Sequence, residues 1–91
     1  MIVRKNGEWL AAHMGDELLM MSAEHGLYLG LSEVGARIWE LIETPLSLDA
    51  LCGRLEAEFE IDEPTCRAEV SAFLAELVRH KAVALSTTDG R

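Results

Sequence analysis

The hydrophobic periodicity of this chain changes abruptly at Ser32. Before it, residues 27–31 alternate leucine with tyrosine and glycine, a period of two that is typical of a strand with one buried face. After it, Val34, Ile38 and Leu41 recur at the spacing of an α-helix, and Ser32 itself suits the N-cap position. A sheet therefore ends where a helical segment begins, and this junction predicts an α+β fold.

The segment before this junction contains three apolar runs separated by turns. Residues 9–13, 17–22 and 27–31 each have the length of a short strand, and a glycine lies in each of the two connections. This pattern predicts an antiparallel three-stranded meander.

Three helices and a short closing strand are predicted after the sheet. The first helix is expected to run to about Glu43, since Pro45 disfavours helical geometry in the residue before it. Ser47 is placed to cap the second helix and Asp62 the third, and residues 82–86 form the closing strand. The whole chain, residues 1–91, is predicted to be one winged-helix-like domain, an N-terminal three-stranded antiparallel sheet followed by three helices, with its core in about residues 9–85.

The charge of the chain argues against nucleic acid as a partner. Eight basic residues stand against sixteen acidic ones, for a net charge of −8, whereas binding to phosphate backbones depends on lysine and arginine. No apolar stretch approaches the roughly 20 residues of a membrane span, and the first residues lack the apolar region of a signal peptide. We therefore expect a cytoplasmic protein that interacts with neither nucleic acid nor membrane.

Motifs of catalysis, cofactor binding and metal binding are missing from the sequence. It contains no GxSxG, GxGxxG, Walker or HExxH pattern. Cys52 and Cys66 are too far apart for a CxxC motif and fall on apolar helical stripes, which predicts buried thiols. The three histidines have no ligand spacing. We expect a protein without catalytic activity, cofactor or metal.

Residues 25–42, with the sequence HGLYLGLSEVGARIWELI, resemble the strand-to-helix signature of the PqqD-like family. Members of that family show a G-x-Y-x-x-L-N-x-x-G-x-x-I-W-x-L pattern there, and the similarity continues through the second and third helices, over about residues 10–85. Ser32 stands where the family usually has asparagine, but both residues are good N-caps.

This resemblance implies a RiPP recognition element, which binds the leader segment of a ribosomally synthesised precursor peptide and presents it to a separate modifying enzyme. Family members add the leader as an extra strand on the edge of the third strand, beside the third helix. The edge here has no lysine or proline to block such pairing. The candidate leader-binding residues are Leu27, Tyr28, Leu29, Gly30 and Leu31 of that strand, with Arg67, Val70, Ser71, Leu74 and Val78 on one flank of the third helix.

Several alternatives stay open from the sequence. Val70 and Leu74 fit the core as well as a groove, and Arg67 fits either solvent or a pair with a leader carboxylate. The modifying enzyme is a leader peptidase, as in lasso-peptide systems, or a radical-SAM enzyme, as in the maturation of pyrroloquinoline quinone, with the lasso type slightly favoured. Rival functions are a structural subunit that forms a homodimer through the same edge and, more weakly supported, a winged-helix DNA-binding protein.

Overall fold

The computed structural model describes residues 1–86, which form two antiparallel sheets and three helices. The last five residues of the predicted domain lie outside this range. The predicted α+β class is confirmed, but winged-helix-like is a loose description, because the structure contains a second sheet. The elements are β1 (Ile2–Lys5), β2 (Leu10–Met14), β3 (Glu17–Ser22), β4 (Leu27–Leu31), α1 (Glu33–Leu41), β5 (Leu46–Ser47), α2 (Leu48–Phe59), α3 (Glu63–Arg79) and β6 (Val83–Ser86).

The predicted meander is the sheet β2-β3-β4, in which β3 is central. Gly15 and Gly26 occupy its two turns with φ of +68° and +63°, a conformation that favours glycine. Leu18 and Met20 of β3 are buried, and they pair with Leu31 and Leu29 of β4 on the same face. This inner face of the meander packs on the helices, as the alternating leucines predict.

The second sheet, in the order β5-β1-β6, brings distant parts of the chain together. Ile2 pairs with Ser47 on one side and with Ser86 on the other. Val3, the next residue, is fully buried, so the core reaches further toward the N-terminus than residue 9. The closing strand was predicted at residues 82–86, whereas β1 and β5 were not predicted.

The helices begin where their capping residues predict. The side-chain oxygens of Ser32, Ser47 and Asp62 accept hydrogen bonds from the backbone N–H three residues later, at 3.5, 3.0 and 3.1 Å. Helix α1 ends at Leu41, two residues before the predicted Glu43, and Ile42 is its C-cap. The capping pattern therefore fixes where each helix starts more closely than where the first one stops.

One hydrophobic core is formed by residues from both sheets and all three helices. Cys52 and Cys66 lie in it as free thiols, each 1% exposed, which confirms the prediction of buried cysteines. Burial raises the pKa of both thiols, that of Cys66 to about 11. These thiols are therefore packing groups at neutral pH.

Candidate functional site

Strand β4 is an edge strand of the meander. It pairs with β3 on one side, and no strand within residues 1–86 pairs with its other side. Tyr28 lies on the outer face with 70% of its surface exposed, whereas Leu27 and Leu29 are half-buried on the inner face and Leu31 is buried. The open side of β4 therefore offers main-chain donors and acceptors that a further strand can use.

A small pocket of about 120 Å³ lies where β4 runs into α1, and α3 forms its other side. Most of its surface is apolar, and Glu69 of α3 is the acidic group in its wall. Because β4, the N-cap Ser32 and α1 follow one another without a loop, the pocket adjoins the end of the open edge. The lining residues on α3 and the loop before it are Ile61, Cys66, Glu69, Val70 and Phe73, and those on the α1 side are Ser32, Val34, Gly35 and Ile38.

Gly35 sets the width of this pocket. A Cβ atom at this position would lie 3.0 Å from the ring of Phe73 and 3.3 Å from the Cβ of Leu31, closer than most real contacts. Glycine therefore allows the first turn of α1 to approach α3. The half-buried ring of Phe73 lies in the space between the two helices and forms the pocket wall that faces the end of β4.

The structure places the candidate residues of α3 on two different sides of the helix. Arg67 Nη2 donates to Asp49 Oδ1 of α2 at 2.6 Å, which raises the pKa of the guanidinium, so this flank faces α2. At about 100° per residue, Ser71 and Val78 lie on the same flank as Arg67, and Phe73 lies on the opposite one. Ser71 and Val78 are exposed, and a contact between this flank and a leader peptide stays a prediction.

Val70 is the predicted α3 residue that lines the pocket, whereas Leu74 is 2% exposed and lies in the core. Glu69 and Phe73 line the pocket but were not among the candidates. In sequence, Phe73 is an apolar residue at the helical spacing of core residues such as Val70 and Leu77, and Glu69 looks like any solvent-facing carboxylate. The contact of Phe73 with Gly35 is the signal that separates the two flanks, and it is visible only in the fold.

The groove formed by the open side of β4 and this pocket, called here the β4 groove, has the properties of a peptide-binding site. It combines a free main-chain edge, an apolar pocket and one carboxylate. Among the described residues, no cluster of three or more histidines, cysteines or carboxylates could hold a metal ion. None of the helices in residues 1–86 is long and apolar enough to cross a membrane.

Comparisons with known proteins match the same elements. A family model described as coenzyme PQQ synthesis protein D (PqqD) matches residues 17–83, which include β3, β4 and all three helices. A solved structure of TbiB1 in complex with the TbiA(beta) leader peptide is similar to this chain with a TM-score of 0.81 and 27% sequence identity, over 92% of this chain and 98% of that one. No curated protein sequence matches significantly.

Proposed function

Because the chain belongs to the PqqD family of RiPP recognition elements, we propose that it binds the leader segment of a ribosomally synthesised precursor peptide by strand addition to β4. The observation that carries the proposal is the open side of β4 next to the Phe73 pocket. The TbiB1 structure, which contains a leader peptide, supports it by similarity.

The geometry of β4 determines how the leader is held. A strand added about 4.8 Å from β4 exchanges main-chain hydrogen bonds with it, and these bonds do not depend on the leader sequence. Every second side chain of the added strand then points to the inner face, where Leu27 and Leu29 are half-buried. Affinity comes from the backbone, and sequence preference comes from the inner face.

The pocket accounts for that preference. Val34, Val70 and Phe73 offer an apolar surface to one side chain of the leader, and Glu69 disfavours an acidic residue beside it. We therefore expect the leader to present an aliphatic or aromatic side chain near the end of β4, flanked by neutral or basic residues.

The bound leader is presented to a separate modifying enzyme in the cytoplasm. PqqD-like proteins are non-catalytic peptide-binding partners, and we propose the same role here. The enzyme is a lasso-type leader peptidase or a radical-SAM protein, with the first slightly favoured.

Fluorescence anisotropy tests this function directly. The protein is titrated into a labelled leader from the precursor encoded nearest to its gene, with a leader of scrambled sequence as the control. We expect saturable binding of the leader alone. If the protein binds no neighbouring leader and instead sediments as a dimer, the β4 edge pairs with a second copy and the proposal is wrong.

A pair of variants distinguishes the two flanks of α3. Phe73→Ala removes the pocket wall and is expected to weaken leader binding at least about tenfold, because a buried aromatic contact is lost. Val78→Ala truncates an exposed side chain on the flank of Arg67 and is expected to leave the affinity unchanged. Circular dichroism checks that both variants are folded, and the reverse order of effects would place the leader on the flank facing α2.

A further inference from the structure

We propose that a second surface of this protein docks a basic and apolar segment of the modifying enzyme. The surface is a cleft of about 910 Å³ between the loop of residues 6–9, the turn of residues 23–26 and the C-terminal half of α1, called here the tryptophan cleft. The inference rests on the proposed function only in naming the modifying enzyme as the partner.

The cleft has an exposed apolar floor. Leu10 of β2 is 69% exposed and pairs with Met21 of β3, which in turn pairs with Tyr28 of β4. These three side chains form one row across the outer face of the meander, since directly paired residues share a face. Leu10 and Met21 line the cleft, and Tyr28 continues the row onto β4, outside the cleft. Trp9, partly exposed at the end of the row, extends it into the cleft. A row of large apolar groups on a sheet surface indicates an interaction site.

The rim of the cleft is acidic. Glu8, Glu24 and Glu43 line it, and Lys5 is the basic residue among the lining groups. Lys5 already pairs with Glu43. Within residues 1–86, Glu8 forms no ion pair, and Glu24 has a single one, with His25 at 3.8 Å. The carboxylates of Glu8 and Glu24 can therefore bind a basic group of a partner protein.

Lys5 shows what such a group would do there. Its Nζ lies 4.5 Å from the centre of the Trp39 ring while it pairs with Glu43, so a cation is held between an indole and a carboxylate. Trp9 and Glu8 are neighbours in the same cleft and offer the same two groups. A lysine or arginine of a partner protein fits this second place.

Charge and position decide which partner occupies the cleft. A second copy of this chain carries the same net charge of −8 and would bring acidic groups against an acidic rim. A leader added to the open side of β4 would lie three strand spacings from β2, or about 14 Å, so leader binding leaves the β2 side of the cleft free. A basic enzyme surface satisfies both conditions.

The test measures binding of the enzyme and of the leader with the same variants. Glu8→Lys combined with Glu24→Lys reverses the rim, and Leu10→Ser removes an apolar group that is too exposed to support the fold. Glu56→Lys on α2 combined with Glu60→Lys at the C-cap of that helix is the matched control with the same change of charge. Biolayer interferometry with the enzyme encoded beside the precursor gene, at low and high salt, and leader anisotropy are measured for each.

We expect the wild-type protein to bind the enzyme more weakly as salt rises, and the rim variant to lose about tenfold in affinity or more. Leu10→Ser should weaken binding at both salt concentrations, and the control should bind normally. Leader affinity should stay unchanged throughout.

Three outcomes would overturn the inference. Unchanged enzyme binding in the rim variant would exclude the cleft as the docking site while leaving the leader function intact. A parallel loss of leader affinity would assign the cleft to the leader, and a wild-type dimer that the rim variant dissociates would assign it to a second copy. If no leader binds but enzyme binding depends on the rim, the proposed function fails and the docking surface stands.

Discussion

The two sheets have the same number of strands and the same antiparallel pairing, yet they connect the chain in opposite ways. In β2-β3-β4, strands that follow one another in sequence pair through short turns. In β5-β1-β6, β1 pairs with strands roughly 45 and 80 residues further along. Each sheet has a central strand paired on both sides, β3 in the first and β1 in the second, and the open side of β4 is an edge of the first sheet.

This difference separates stability from binding. The sheet centred on β1 joins the two ends of the described chain, and its central residue Val3 is fully buried. The meander needs no distant partner and keeps one edge free beside the Phe73 pocket. Damage to the sheet centred on β1 should therefore unfold the protein, and damage to the free edge of the meander should change what the protein binds.

The largest effect is expected from Val3→Asp. This substitution buries a carboxylate without a partner in the central strand, at a cost of about 3 kcal/mol or more. A domain of this size has a total stability of about 5–15 kcal/mol, so urea denaturation should show a large loss. Arg4→Asp, on the exposed side of the same strand, should change the free energy of unfolding by less than about 0.5 kcal/mol. Equal losses in both would mean that β1 contributes by charge and not by burial.

A proline in β4 is expected to act on binding. Neighbouring strand residues direct their N–H groups to opposite edges, so Tyr28→Pro and Leu29→Pro each remove a donor from a different side of the strand. The variant that loses the outward donor should stay folded and bind the leader about five- to tenfold more weakly. The other loses a bond to β3 and should be less stable. Wild-type leader affinity in both folded variants would contradict strand addition.

Two glycine substitutions compare the pocket with a neutral helical position. Gly35→Ala places a Cβ against Phe73 and Leu31, and the expected strain exceeds the gain in helix propensity, for a net loss of about 1 kcal/mol. Gly53→Ala, on α2 with no atom within 4 Å of the added group, should stabilise by about 0.5–1 kcal/mol. Thermal unfolding measures both effects, and leader affinity should fall only for Gly35→Ala. Equal stabilisation by both substitutions would show that the ring of Phe73 moves away from the added Cβ at no cost in free energy.

The smallest effect is expected on stability at acid pH. It comes from the ion pair between Lys5 of β1 and Glu43 just after α1, called here the tether. Lys5 donates to the carboxylate of Glu43 and lowers its pKa below the ordinary value of 4.5. A lowered pKa in the folded state stabilises the fold above pH 4.5, and this contribution is lost as pH falls through the lowered pKa. The pair is exposed, so the loss should be small. Urea midpoints measured from pH 6 to 3 should fall less steeply for Glu43→Gln, and identical slopes would exclude the tether.

The comparison of the sheets also explains which parts of the fold the sequence predicts. The meander could be predicted because each strand and its turn lie within a few residues, and Leu27, Leu29 and Leu31 show the period directly. Strands β1, β5 and β6 contain two to four residues, too few for a period to appear, and they pair with residues far away in sequence. Of these three, β6 was predicted as a closing strand, but without its partner. Local chemistry also placed the caps at Ser47 and Asp62 correctly.

The candidate site divides in the same way. The edge strand follows from alternation and from the lack of lysine and proline, which are properties of five adjacent residues. The α3 side of the site cannot be predicted in this way. On a helical wheel the flank of Arg67 and the flank of Phe73 lie equally close to the core face, so the wheel does not show which flank faces β4. Only the packing of α1 on α3, made possible by Gly35, shows that Phe73 faces the end of β4.

The pairing of β1 with β6 has a consequence for the order of events on the ribosome. β1 leaves the exit tunnel before the other described strands and helices, whereas its partner Val83–Ser86 is synthesised only after all three helices. The meander can form while translation continues, whereas the sheet that joins the ends of the described chain has to wait. A nascent chain can therefore form the meander, with the proposed leader-binding strand β4, before the sheet centred on β1 is complete, and the full stability of the described fold requires β6.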